Sequence, residues 1–199
     1  DVQIDERTLR EIYLPAFEAS VKEAKAYSIM GAYNKFRGEY LCENDYMLNK
    51  ILRDEWGFKG VVVSDWAAVH STAKSLKNGL DIEMGTPKPF NEFFLADKLI
   101  AAVKSGEVSE KEIEKIVLRI QDFDPAGIAA RDVQECLLIQ LRRKSLHSSL
   151  AAIKHALRII EFHFDLQFTL KGTFFYIMTG FTIFDFDILC SFPIRFTVF

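Results

Sequence analysis

Asp65 directly follows the run Gly60-Val61-Val62-Val63-Ser64 and directly precedes Trp66. A carboxylate beside an indole suits sugar chemistry. The aromatic face packs on the C–H face of a pyranose, while the carboxylate attacks or stabilises an oxocarbenium-like anomeric carbon. The competing reading of the same pair makes Asp65 a helix cap and Trp66 a packing residue. Tyr33 and Asn34 close a second apolar run, "SIMGAYN", and Glu83-Met84 fall in a third short one, "LDIEMG". Glu39 and Glu43 are the nearest spare carboxylates, but both sit in polar loop text and neither is assigned an acid role. No metal chemistry is expected: Cys42, Cys136 and Cys190 are far apart with no CxxC pair, which reads as three isolated, reduced thiols. His147, His155 and His163 recur every eight residues, about 80° apart on a helix, a poor metal face.

The elements that must position Asp65 are legible around it. Three consecutive valines without polar alternation predict a strand buried on both faces, as in a parallel sheet. "SIMGAYN" reads as another buried strand, followed by the polar loop "NKFRGEYLCEN". Reactive groups in such folds collect at the C-terminal ends of the strands, the address of Asp65, Tyr33 and Asn34. "DERTLREIYLPAFEASVKEA" predicts a helix kinked, or divided into two pieces, at Pro15. Asn44 and Asp45 can cap the next helix, which closes at Gly57. "NEFFLADKLIAAVKSG" predicts an amphipathic helix with Asn91 as cap and Gly106 as stop, and Ser109-x-x-Glu112 is a capping-box pattern. Strand and helix alternate at the repeat of a βα unit, so the fold class is α/β with a parallel sheet, present in part.

The chain of 199 residues is 49% apolar and 27% charged, which allows a folded core and excludes global disorder. Its formal charge of -3, evenly spread, carries no electrostatic advertisement for nucleic acid or an anionic membrane. The start at Asp1 looks internal to a longer protein. Composition then shifts: eleven of the 18 phenylalanines lie between Phe162 and Phe199. This Phe-rich tail, 171–199, carries Asp185 and Asp187 in mid-run, which argues against a membrane span.

The blocks "DERTLREIYLPAFEASVKEA", "SIMGAYNKFRGEYLCEN", "ILRDEWGFKGVVVSDWAAVH" and "GLDIEMG" resemble, in order and spacing, the barrel domain of glycoside hydrolase family 3, the β-glucosidase type, over about residues 1–120. The resemblance implies a partial (β/α) barrel of the TIM type, no cofactor, and a β-glucoside or related oligosaccharide as substrate. It makes Asp65 the nucleophile of a retaining mechanism, places Trp66 in the glycone subsite and sets Tyr33 within hydrogen-bonding range of Asp65. Glu83 and Met84 fall near the aglycone rim by the same resemblance. Ala67 stands where the family has glycine, a change expected to cost little, and Arg37 stands where "NKxNG" has asparagine, putting a loop cation near the cleft. The family's acid/base comes from a second domain, and its early strands supply the aspartate, arginine and Lys-His pair that grip the sugar. Neither is recognisable here, so the chain alone is expected to be inactive.

A second text begins near residue 118. "DPAGIAARDVQECLLIQL" resembles the "DPxGxxARDLxECLxLQL" signature of the core-binding region of the sigma-54 type transcription factor, with Ala129 where glycine is common. Asp124-Pro125 and Gly127 predict a turn, and a helix is expected from about Ala130. The resemblance implies core RNA polymerase as a partner through residues 121–145. The expected organisation is 1–120, a helical 121–170, and the tail 171–199. Because "KIVLRIQDF" serves both texts as one continuous helix without a linker, a chimeric or misassembled reading frame is expected.

Overall fold

A computed structural model describes residues 1–85, 88–146, 153–158 and 160–161, and the chain divides into two compact units, Asp1–Ile120 and Gln121–Phe199. The first unit opens with α1 (Glu6–Thr8), whose cap Asp5 accepts the Thr8 N–H at 2.9 Å. A wider π-helical stretch, Leu9–Tyr13, follows and is closed by the Leu14 N–H donating to the Leu9 carbonyl at 3.0 Å. Pro15 then starts α2 (Pro15–Lys22) at a first-turn position, where its missing N–H has no partner to lose. The two pieces therefore meet at Pro15.

β1 (Ser28–Gly31) leads into a short hairpin, β2 (Lys35–Phe36) and β3 (Glu39–Tyr40), inside the stretch expected to be loop. The two turn residues, Arg37 and Gly38, both have positive φ, +51° and +88°. That is the pattern of a two-residue hairpin turn matching the strand twist. After a 3-10 turn, Leu41–Glu43, Asn44 Oδ1 accepts the Met47 N–H at 2.9 Å and caps a π-helix, Tyr46–Glu55. Gly57, at φ +71°, stops it. The valine run is β4 (Val61–Ser64), with Val61, Val62 and Ser64 buried. It pairs in parallel with β1, Ser28 opposite Val61 and Gly31 opposite Ser64. Ile82 forms a third parallel line against Val63. Val62 sits fully buried in a core with Val21, Leu48, Leu52, Phe58, Val69 and Leu80. Each such side chain contributes about 1.5–3 kcal/mol of burial. At the strand entry, a Cβ on Gly60 would lie 2.0 Å from the Tyr27 carbonyl oxygen, so only glycine admits that approach.

The remaining helices of this unit are α3 (Ala73–Lys77), α4 (Asp97–Lys104) and α5, which spans Glu110–Gln121. The helix expected from Asn91 starts later: Asn91 lies in a 3-10 turn, Phe90–Glu92, and the helix begins at Asp97. The intervening peptide groups are committed elsewhere. Thr72 Oγ1 donates to the Phe94 carbonyl at 3.0 Å, and the Leu95 N–H donates to Glu83 Oε2 at 2.7 Å. The capping box forms at α5, with the Ser109 N–H on Glu112 Oε2 at 2.7 Å.

In the second unit, Asp124–Pro125 is a cis peptide and Gly127 has φ +100°. The next helix, α6 (Val133–Ser145), begins three residues after the expected Ala130, at a cap the sequence reading passed over. Asp132 Oδ1 accepts the Glu135 N–H at 2.7 Å, and the Glu135 carboxylate accepts the Arg131 N–H at 2.6 Å. Leu141, Ile153 and Ile160 are buried together against Leu137, Leu138, Ala156 and Leu157. His147, His163 and the Phe-rich tail lie outside the described residues. Among the described residues no helix is long and apolar enough to cross a membrane, and no group of three metal-binding side chains occurs.

Candidate active site

The parallel register carries three chain segments to one edge. The Asp65 N–H donates to the Gly31 carbonyl at 2.9 Å, and the Ser64 N–H donates to Ile82 at 2.8 Å. Ala32-Tyr33, Asp65-Trp66 and Glu83-Met84 therefore leave the C-terminal ends of adjacent parallel lines.

Asp65 and Tyr33 are brought together. The Asp65 carboxylate beside the Tyr33 phenol raises the tyrosine pKa above its ordinary value. Asp65 Oδ1 accepts the Trp66 backbone N–H at 2.7 Å. This backbone donor orients the carboxylate, while Trp66 and Tyr33 beside it are each more than half exposed. Behind it, Cys42 is completely buried, and burial pushes its thiol up to about 11. A Cβ on Gly31 would meet the Cys42 sulfur at 2.8 Å, so glycine leaves the room this thiol fills beneath the strand end.

Glu83 and Met84 reach the same edge with different duties. Glu83 is spent on the Leu95 N–H, and the Met84 N–H donates to the buried Ser64 hydroxyl at 2.8 Å. Arg37 turns toward the N-terminal segment: its guanidinium donates to the Ile4 carbonyl and Glu6, and lies 4.7 Å from the Phe36 ring centre. Ala67 has φ +57°. A side chain in that left-handed region costs roughly 1–2 kcal/mol, so the loss of glycine there is more than the small change expected.

Sequence reasoning missed two charged arrangements. Asp81, buried, accepts from Arg53 and Arg119, each at 2.5 Å, and from the Val62 N–H at 2.7 Å. Burial lowers the Arg53 pKa, and Arg53 Nε has no partner. Glu43, assigned to polar loop, is buried as well. The signal available for Asp81 was its place one residue before the third sheet line; for Glu43 there was none.

The Glycosyl hydrolase family 3 N terminal domain matches residues 1–123, and the Sigma-54 factor core binding domain matches residues 91–171, sharing 91–123 with the first. A beta-glucosidase of Rhizobium radiobacter is 50% identical over 117 residues, covering 59% of this chain and 14% of that protein. Thermostable beta-glucosidase B of Acetivibrio thermocellus is 47% identical over 120 residues, 60% of this chain and 15% of that protein. Among solved structures, beta-glucosidase D2-BGL from Chaetomella raphigera matches with a TM-score of 0.54 and 42% identity, over 58% of this chain and 16% of that one. Beta-glucosidase 3B from Thermotoga neapolitana in complex with glucose matches with a TM-score of 0.56 and 33% identity, over 70% and 21%. These likenesses and the parallel β1–β4 pairing make the fold α/β.

Proposed function

Since its residues 1–123 place this chain in glycosyl hydrolase family 3, we propose that it carries the nucleophile side of a retaining β-glycosidase site, with Asp65 as nucleophile and Trp66 and Tyr33 lining the sugar position. The observation that supports this reading is the Asp65 carboxylate at the end of β4, held by the Trp66 backbone N–H, with the Tyr33 phenol and an exposed indole beside it. In this reading an Asp65 oxygen bonds to the anomeric carbon as the C–O bond to the leaving group breaks. Tyr33 and the Trp66 N–H hold the carboxylate in line. Glu83 and Met84 shape the outer side of the same edge, and residues 1–120 belong to a partial (β/α) barrel.

A second carboxyl about 5 Å away must protonate the leaving oxygen in such a mechanism. Glu83 is committed to Leu95 and Glu39 to Lys74, so we assign the acid to neither. Without it, turnover of an ordinary β-glucoside falls by the roughly 10²–10⁴ that general acid catalysis supplies. A 2-deoxy-2-fluoro glucoside with a dinitrophenolate leaving group needs no acid, so it isolates the role of Asp65. The expected result is a covalent adduct mapped by mass spectrometry to Asp65 and absent from Asp65→Asn. No adduct on soluble, monodisperse protein defeats the proposal.

The match over 91–171 favours a second reading, in which residues 121–145 bind core RNA polymerase. Co-sedimentation of the full chain with core polymerase at micromolar concentration supports it, and failure to co-sediment removes it. In both readings the texts 1–120 and 121–170 are joined in a chimeric frame near residue 120, with 171–199 as the Phe-rich tail. Sequencing source DNA across codons 110–130 tests the join, and one unbroken native transcript ends that idea.

A further inference from the structure

Beside the hairpin lies a cleft of about 460 Å³ lined by Arg37, Gly38, Glu39, Tyr40, Glu43, Asn44 and Lys74. Its volume falls in the ~300–1,000 Å³ range of small-molecule sites, but its lining is polar where most such sites are apolar. Glu43 is the unusual member. Its side chain is 9% exposed, and Oε1 is enclosed without a hydrogen-bond partner. Leaving a buried carboxylate oxygen unmatched is destabilising, so the arrangement calls for a donor.

Lys74, half exposed, stands between two carboxylates, with Nζ 2.5 Å from Glu39 Oε1 and 3.9 Å from Glu43 Oε2. A divalent cation would have to displace this ammonium. A hydroxyl does not, because it can donate to the unmatched oxygen and accept from Lys74 together. The walls are held from behind. The Glu43 carbonyl accepts from the Asn78 side chain at 2.6 Å, and the Tyr40 ring stacks on His70 with centroids 3.5 Å apart. Lys35 covers Tyr40 at 4.6 Å, so this ring stiffens the cleft more than it offers a stacking face.

We propose that this cleft is a second binding site, for a polyhydroxylated ligand of about one pyranose, recognised by Glu43 Oε1 and Lys74 and separate from the Asp65 strand edge. The site does not depend on Asp65 being a nucleophile.

The test is a titration of the full chain, labelled with nitrogen-15, with D-glucose and in parallel with myo-inositol and calcium chloride, following the Gly38 and Asn44 amides and the Trp66 indole. Saturable shifts of Gly38 and Asn44 with a polyol are expected. Glu43→Met weakens them on the order of tenfold or more, the worth of a hydrogen bond to a charged group, while raising the melting temperature of the free protein. Lys74→Gln, at an exposed position, also weakens binding and serves should Glu43→Met not fold. Movement of Trp66 alone overturns this proposal while leaving the Asp65 site standing. Saturation by calcium without polyol overturns it in favour of a metal, and equal binding by wild type and both variants overturns it outright.

Discussion

Arg37, Ala67 and Ala129 each stand where the resembled pattern has asparagine or glycine, and all three have positive φ, at +51°, +57° and +56°. Glycine and asparagine enter this region easily and other residues do not. The departures looked like side-chain changes in the sequence, and they are backbone changes in the fold. Arg37 has compensation in Ile4, Glu6 and the Phe36 ring. Ala67 has no such side-chain reach. Ala67→Gly should therefore stabilise the protein by about 1 kcal/mol, read as a raised urea midpoint with unchanged slope. Tyr33 allows a sharper check on the candidate site. Its phenol is held in the neutral form by the neighbouring Asp65 carboxylate, so that contribution is complete below the ordinary tyrosine range near 10 and is lost as pH rises through the elevated folded value. Asp65→Asn should lower the Tyr33 pKa, seen as earlier phenolate absorbance once the Tyr33→Phe spectrum is subtracted. An unchanged titration would mean the two side chains do not meet in solution.

Elements were legible where apolar periodicity and local caps agree, and illegible where distant groups compete for the backbone. The valine run gave β4 and the Ser109-x-x-Glu112 pattern gave the start of α5 because both signals are local. The hairpin was hidden because Arg37 stands where asparagine would have announced a two-residue turn. The start of α4 moved because Thr72 and Glu83, far away in sequence, take the peptide groups of Phe94 and Leu95. At α6 the Asp132 side chain on the Glu135 N–H, with the Glu135 carboxylate on the Arg131 N–H, decides the start. Glu135 also shows what a cap does to pH dependence. Hydrogen bonds from Arg131 hold its carboxyl at about 2 against an ordinary 4.5. A depressed carboxylate stabilises the folded state fully above the ordinary value and loses that contribution as pH falls through the folded one. Helical circular dichroism should thus decline between about pH 4.5 and 2 more steeply in wild type than in Glu135→Gln, which starts lower and lacks that acid limb.

At the scale of the first unit, the strand edge that gathers Tyr33, Asp65 and Glu83 depends on a charge buried beneath the sheet. Asp81 binds Arg53 from the π-helix, Arg119 from α5 and the Val62 N–H of β4, so one carboxylate ties three elements to the line that continues into Glu83. Local pattern marks only its place one residue before the third sheet line, where a single aspartate in "GLDIEMG" reads like any strand-end carboxylate; only the tertiary fold supplies the two guanidiniums. The network holds two cations and one anion with little water, which is why burial lowers the Arg53 pKa in spite of its partner. Removing the anion leaves both cations unpaired, a loss of about 3–5 kcal/mol for buried pairs, with Asp81→Asn near the lower end because Arg119 keeps 29% of its side chain exposed. Double substitution, Asp81→Asn with Arg119→Met, should recover part of that loss because one stranded charge goes with its partner. Urea unfolding of the two variants checks both statements. A loss below about 1 kcal/mol in the single variant would mean that water reaches the network and that α5 is held to the sheet by its apolar face alone.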